Sequence, residues 1–242
     1  MNESRIRRLP WDSDFFGFEV GRLDVSTGVT LDQIREAVNA SECRCLYMFV
    51  PNEWYSGACD PDSSRRMLSA MGACRYDVRT TYAKAIVPLA SLDMGDVALE
   101  ITSRLETLAI TSGKYSRFFK DERLRPFFND LYKEWLKKDF LNGRVFIHRF
   151  ADEIDGITTV SCNEGSGTIG LVAVDAKSRG RGIATTLLQN VDTWLWSKDI
   201  KTVAVTTQGE NIAARRLYEK TGFTVVSQVE VWHVWTDSWH GK

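Results

Sequence analysis

The chain falls into two runs of elements when apolar positions are read for period. In the first run, residues 18–25 alternate apolar and polar and predict a strand. Leu31, Ile34 and Val38 lie on one face of a helix over 31–40, and residues 45–50 (CLYMFV) predict a buried strand closed by Pro51. A short helix over 63–71 and a strand over 75–87 complete a β-α-β-α-β unit ending near Pro88. This predicts a small first domain over residues 1–90, in element order an abbreviated copy of the second. Ahead of it, Asp12 and Ser13 read as a turn and cap or as substrate contacts.

The second run, residues 91–242, opens within the mixed stretch 89–107, with a strand over 97–101. The polar segment 111–119 reads either as a surface loop leading to a helix or as an anion site. An amphipathic helix is predicted over 127–141, with Phe128, Leu131, Trp135 and Leu136 on one side. Strands over 144–150 and 156–162 are joined by a turn at 152–155, and a turn at 163–167 leads to a strand over 168–174. A helix to about 198, a strand over 201–207, a helix to Tyr218 and an alternating strand over 225–235 follow. The class is mixed α/β (α+β).

The densest chemistry lies at residues 168–185. An apolar strand, a basic glycine turn and a helix start are a way to hold an anion. The first N–H groups of a helix lack intrahelical partners, the macrodipole is positive there, and glycine lets the backbone approach closely. Arg179 and Arg181 add charge. No Lys follows Gly182, which rules out a P-loop, and the spacing Gly180, Gly182, Thr185 is not a dinucleotide fingerprint. Downstream, Asn211 is placed to cap a helix and Gly222 to end it, while seven-residue spacing puts Asn211 and Tyr218 on one face.

Arg179, Gly182 and Ala184, followed by Asn211, Ala214, Tyr218 and Gly222, resemble the acyl-CoA signatures of the GNAT superfamily of N-acyltransferases. The opening LPWDSDFFG, the central SGKYSRF, the strand GLVAV and the TTQ ending at Gln208 resemble sugar-nucleotide N-acetyltransferases acting on dTDP-4-amino sugars such as dTDP-fucosamine. The resemblance implies a GNAT fold with a central, mostly antiparallel, splayed sheet. It implies acetyl-CoA as co-substrate and direct transfer to the amine of a dTDP-amino sugar, a small-molecule partner, with no metal and no cysteine nucleophile. The backbone of Leu171, Val172, Ala173 and Val174 would bond the pantetheine arm. Arg179, Gly180, Arg181, Gly182, Ile183, Ala184 and Thr185 would hold the pyrophosphate, with Asn211 and Ala214 completing the cofactor site. Tyr218 would protonate the departing sulfur, and Lys114, Tyr115, Arg117 and Gln208 would bind the acceptor. Some superfamily members carry a carboxylate base where residues 157–162 offer none.

Composition narrows the alternatives. A net charge of −1 argues against a general nucleic-acid binder. The five cysteines (Cys43, Cys45, Cys59, Cys74, Cys162) contain no Cys-x-x-Cys, so neither a disulfide framework nor a zinc site is expected. Reduced thiols, no leader-like apolar stretch and no membrane-length apolar run are the pattern of a cytoplasmic protein without a membrane partner. His148, His233 and Cys162 read as strand residues. The eight tryptophans are expected to pack a sheet or a subunit contact, which leaves a homodimer open. Tyr218 also reads as a core aromatic. A protein or peptide amine as acceptor, or a non-catalytic acyl-CoA-binding regulatory module, remain the rival readings.

Overall fold

The apolar positions gather into two separate cores, and the chain passes from one to the other twice. A computed structural model describes residues 6–55, 61–87, 95–163 and 165–241. Cys59, Pro88 and Leu89, used in the sequence reading, lie outside the described residues. The elements are β1 (Arg7–Arg8), α1 (Pro10–Phe16), β2 (Val20–Asp24), α2 (Leu31–Asn39), β3 (Cys45–Pro51), α3 (Asn52–Tyr55), α4 (Pro61–Ala70) and β4 (Ala73–Ala85). After them come β5 (Asp96–Val97), α5 (Ser103–Ser112), α6 (Arg117–Lys120), α7 (Phe128–Asn142), β6 (Arg144–Phe150), β7 (Glu153–Asn163) and β8 (Ser166–Val174). The last are α8 (Ile183–Ser197), β9 (Thr202–Gln208), α9 (Ile212–Lys220) and β10 (Thr224–Trp235).

The first unit takes the chain up to Arg79 and again from Gln228. β2 runs parallel to β3, and β1 and the end of β10 are antiparallel additions, with Val231 opposite Phe49 and Trp235 opposite Cys45. β3 is buried along its length, as its uninterrupted apolar sequence requires. α2 starts at a reciprocal capping box: Thr30 accepts from the Gln33 N–H and Gln33 accepts from the Thr30 N–H. Its Ile34 and Val38 pack with Leu46, Met48, Leu68, Trp232 and Trp239. Here the C-terminal tryptophans are core residues, and His233 is buried between Tyr47 and Tyr76. Ser13 accepts the Val20 N–H and donates to the Leu9 carbonyl, pinning α1 to β2. That is a structural role for Ser13.

The structural division differs from the sequence boundary near residue 90. It falls inside β4, a continuous strand, and the final strand returns to the first unit because Trp232 and Val234 on one of its faces complete that core.

The second unit spans Thr80–Ser227. Its strands lie in the order β4-β9-β8-β7-β6-β5. The β5/β6, β6/β7 and β7/β8 pairs are antiparallel, and β8/β9 is parallel. α8 buries Ile183, Leu187, Leu188, Val191 and Leu195 against one face, together with Phe146, Ile169, Val203 and Val205. α5 and α7 lie against β7 and β8. The Lys84–Asp192 ion pair, 2.6 Å long and largely buried, ties β4 to α8.

Four features differ from expectation. The strand over 97–101 is only Asp96–Val97, and Leu99 is 89% exposed. α5 occupies part of the stretch read as mixed, capped by Thr102. The segment 111–119 holds the end of α5 and the single-turn α6, capped by Ser116. The turn joining β6 to β7 is tighter than expected, at Ala151 and Asp152, both with positive φ.

Candidate functional site

The site residues gather where β8 and β9 part. Registered pairs run from Ser166↔Thr202 to Ile169↔Val205, and among the described residues none follows, although β8 continues to Val174 and β9 to Gln208. A bulge prepares the separation. Thr158 lies opposite Val172 but Val160 opposite Ile169, so Gly170 and Leu171 together face Thr159. Ile169 packs with the α8 core, whereas a Cβ on Gly170 would meet Asp139 of α7 on the other face. The bulge thus turns the Leu171–Val174 backbone away from regular pairing.

The turn after β8 is fixed from three sides. Asp175 caps a 3-10 turn at Ala176–Ser178 through the Lys177 N–H, and Arg104 of α5 bonds Asp175 Oδ2 at 2.5 Å. The Lys177 N–H and the Arg104 guanidinium hold the Asp175 carboxyl below its ordinary pKa. Behind the turn, Asp155 is buried; its backbone carbonyl accepts the Asp175 N–H at 2.7 Å, and its Oδ1 lies 2.6 Å from His148 Nδ1. Burial alone would raise the Asp155 pKa, but the nearby Ser178 hydroxyl and the His148 contact outweigh it and lower it. His148 therefore braces Asp155, the residue that holds the start of the turn, a contact that its alternating strand pattern did not reveal.

Gly180 and Gly182 have φ of 78° and 82°, and Gly182 is the residue from which α8 starts, with no side-chain cap on the helix. The first N–H groups of α8, on Ile183, Ala184 and Thr185, are thus left to a ligand or water. Gly156 allows the close approach, since a Cβ there would lie 2.8 Å from Ile183 Cγ2. Arg179 and Arg181 are exposed beside the turn; Arg179 Nε donates to the Val174 carbonyl, and Arg181 lies over the Phe150 ring.

α9 begins as its sequence specifies: Asn211 Oδ1 accepts the Ala214 N–H at 3.2 Å. That occupies Ala214's N–H and one side of the Asn211 amide. Tyr218 is 3% exposed and shares the core of Ile183 and Leu187. Its ring centroid is 5.7 Å from both Tyr82 and Phe223. Burial, and secondarily Tyr82, push its pKa well above the ordinary phenol value. A phenol in this setting stays protonated and donates a hydrogen bond more readily than it surrenders its proton.

Lys114 and Tyr115 are exposed before α6, and the Arg117 guanidinium lies 4.2 Å from the Phe118 ring centroid. Lys120 Nζ meets Glu210 Oε2 at 2.8 Å, which brings α6 to the β9–α9 corner beyond Gln208. Gly113 and Ser116 of the same motif are structural. A Cβ at Gly113 would strike the Tyr132 ring, and Ser116 caps α6. Among the described residues no cluster of three or more His, Cys, Asp or Glu side chains is arranged to hold a metal, and no helix is long and apolar enough to cross a membrane.

The Acetyltransferase (GNAT) family pattern matches residues 111–223. The spore coat polysaccharide biosynthesis protein SpsD of Bacillus subtilis (strain 168) is 32% identical over 138 residues, which take in 55% of this chain and 47% of SpsD. The chain thus matches about half the length of that relative. A functionally unknown conserved protein of Staphylococcus epidermidis aligns over 97% of this chain and 92% of its own, with a TM-score of 0.67 at 13% identity. A GCN5-related N-acetyltransferase of Sphaerobacter thermophilus aligns over 85% and 65%, with a TM-score of 0.51 at 16% identity. At these identities the two structures speak for the fold alone. Residues 111–223 are thus similar to the Acetyltransferase (GNAT) family, and the parted strands and the glycine turn lie within that match.

Proposed function

We propose that this protein is an acetyl-CoA-dependent N-acetyltransferase whose acceptor is the amine of a dTDP-linked amino sugar. The observation that carries the reading is the pairing of the β8/β9 separation with the uncapped start of α8 behind Gly180 and Gly182. A pantetheine arm fits unpaired strand backbone, and a pyrophosphate fits free helix N–H groups beside Arg179 and Arg181. Acetyl-CoA supplies the acyl group. In this reading the backbone of Leu171, Val172, Ala173 and Val174 aligns the arm, and Ile183, Ala184 and Thr185 bind the phosphates. Asn211 and Ala214 shape the neighbouring wall. Tyr218 donates its O–H toward the departing sulfur.

The acceptor side rests on Lys114, Tyr115, Arg117 and Gln208. A sugar nucleotide brings a second pyrophosphate and so needs basic groups apart from the glycine turn; the Lys120–Glu210 pair brings the Lys114–Arg117 segment toward Gln208. SpsD, named for polysaccharide biosynthesis, supports an acceptor from carbohydrate metabolism. The test is a screen of purified protein with acetyl-CoA and a panel of dTDP-4-amino sugars, read as free thiol released and acetylated product by mass. Product with a dTDP-amino sugar supports the reading, whereas acetylation of peptide amines alone replaces the acceptor. Acetyl-CoA binding without transfer to either would leave a regulatory module.

A further inference from the structure

We propose that Asp139 of α7 is the base that receives the amine proton, acting at the β8 bulge directly or through the Thr159 hydroxyl. This rests on the reading above and names a residue that the strands themselves do not provide. Three observations converge on it. Thr159 donates its hydroxyl proton to Asp139 Oδ2, and its oxygen accepts the Leu171 N–H at 2.8 Å. A Cβ at position 170 would lie 2.5 Å from Asp139 Oδ2 and 2.7 Å from Thr159 Oγ1, so the carboxylate sits over bare backbone. Gly170 is solvent-exposed and is the first β8 residue beyond the last registered β8/β9 pair, where the strands part. An acceptor approaching the gap from the α7 face meets the Asp139 carboxylate beside Leu171.

The surroundings suit a base. Asp139 is partly buried, and desolvation raises its pKa against the opposing hydrogen bond from Thr159 and the charge of Lys138. From β7 the group facing it is Thr159, from β8 the Gly170–Leu171 backbone, and on α7 the charged neighbour acting on it is Lys138. A carboxylate moved toward neutrality takes a proton from an ammonium more readily than a fully solvated one.

The step balances as follows. The bound ammonium gives one proton to Asp139, and its nitrogen attacks the thioester carbonyl carbon. A C–N bond forms as the C–S bond breaks. Tyr218 donates a hydrogen bond to the developing thiolate, and the second N–H proton leaves the nitrogen and reaches the sulfur through solvent, giving the free thiol. Asp139 releases its proton to water.

Asp139→Asn keeps the shape and can still accept from Thr159, so the fold should survive, as calorimetric acetyl-CoA affinity would show. Two acceptors are used, dTDP-4-amino-4,6-dideoxygalactose and a simple alkylamine. With whichever is turned over, kcat should fall about 10²–10⁴-fold with the KM for acetyl-CoA little changed. The deficit should shrink as pH rises and the acceptor arrives already deprotonated. A merely structural role would lower kcat and acetyl-CoA affinity together, with no such recovery. If Asp139→Asn retains kcat within about threefold, or loses activity with a pH-independent deficit, the assignment is overturned. Turnover of the alkylamine but not the sugar nucleotide rejects the acceptor reading while leaving the Asp139 comparison decisive. Turnover of neither by the unaltered protein rejects both.

Discussion

Lys120 Nζ and Glu210 Oε2, 2.8 Å apart, join α6 to the corner between β9 and α9. The contact brings the segment before α6 next to the start of α9, because Glu210 immediately precedes Asn211, the cap of α9. The pair is partly exposed on Lys120 and largely exposed on Glu210, so its contribution to stability is small. Its consequence is positional.

Arg117→Ala is therefore expected to raise the KM for a dTDP-amino sugar at least several-fold. A lost charge-assisted hydrogen bond is worth about 1–3 kcal/mol. Acetyl-CoA affinity should be unchanged, because the glycine turn is held by other groups. Steady-state kinetics with each substrate varied in turn separates the two effects. A rise in the KM for acetyl-CoA instead would place Arg117 on the other side of the reaction.

The glycine turn makes a graded prediction. Gly182 has φ of 82°, and nothing lies within 4 Å of the position its Cβ would take, so conformation rather than crowding limits substitution. Gly182→Val should lose both stability and acetyl-CoA affinity, with a left-handed conformation costing about 1–2 kcal/mol and more for a β-branched residue. Gly182→Asn tolerates that conformation better and should fold nearly normally while still binding acetyl-CoA more weakly, since its Cβ intrudes on close approach. Thermal melts paired with calorimetry would show whether the two variants separate in this way.

Acid should loosen the same turn. Asp155 and Asp175 have folded pKa values below their unfolded ones, so the stability they contribute is present above the ordinary carboxylate range. It is lost as pH falls through the folded values, below about pH 4. Asp155→Asn should flatten the fall of Tm between about pH 5 and pH 3 and should weaken acetyl-CoA binding at neutral pH, because His148 loses its ionised partner behind the turn. An unchanged slope would show that other carboxylates control acid unfolding.

Much of this arrangement was legible because it is local. Asn211 and Gly222 mark the two ends of α9 by residue type alone, Gly182 marks the start of α8, and β3 announces its burial by six consecutive apolar residues. What escaped the sequence is mostly non-local. The β8 bulge depends on how β7 and β8 register, and Asp139, on the polar side of an amphipathic helix, looks like any solvated acid until Gly170 is seen beneath it. α1 was hidden by its brevity, although Pro10 at its first turn and Gly17 at its left-handed end are both start and stop signals. α5 was obscured by its threonines and serines, three of whose hydroxyls bond back to the helix's own carbonyls.

Tyr218 offers the sharpest test of the chemistry. A phenol near its usual pKa of about 10 would lie close enough to a thiol to hand over its proton. The buried phenol found here is a weaker acid, so its contribution is a hydrogen bond that strengthens as charge develops on the sulfur. Tyr218→Phe retains the ring packed against Tyr82 and Phe223 and should leave stability and acetyl-CoA affinity nearly unchanged. It should lower kcat by about 10²–10⁴-fold. Because the phenol is protonated throughout the working range, the alkaline limb of kcat in the unaltered protein should not report Tyr218 below about pH 10, and replacing it should lower the profile without shifting it. A variant with normal kcat would make Tyr218 a core aromatic. A variant that moves the alkaline limb would show that the phenol titrates in the working enzyme, and its burial would then have to be relieved during turnover.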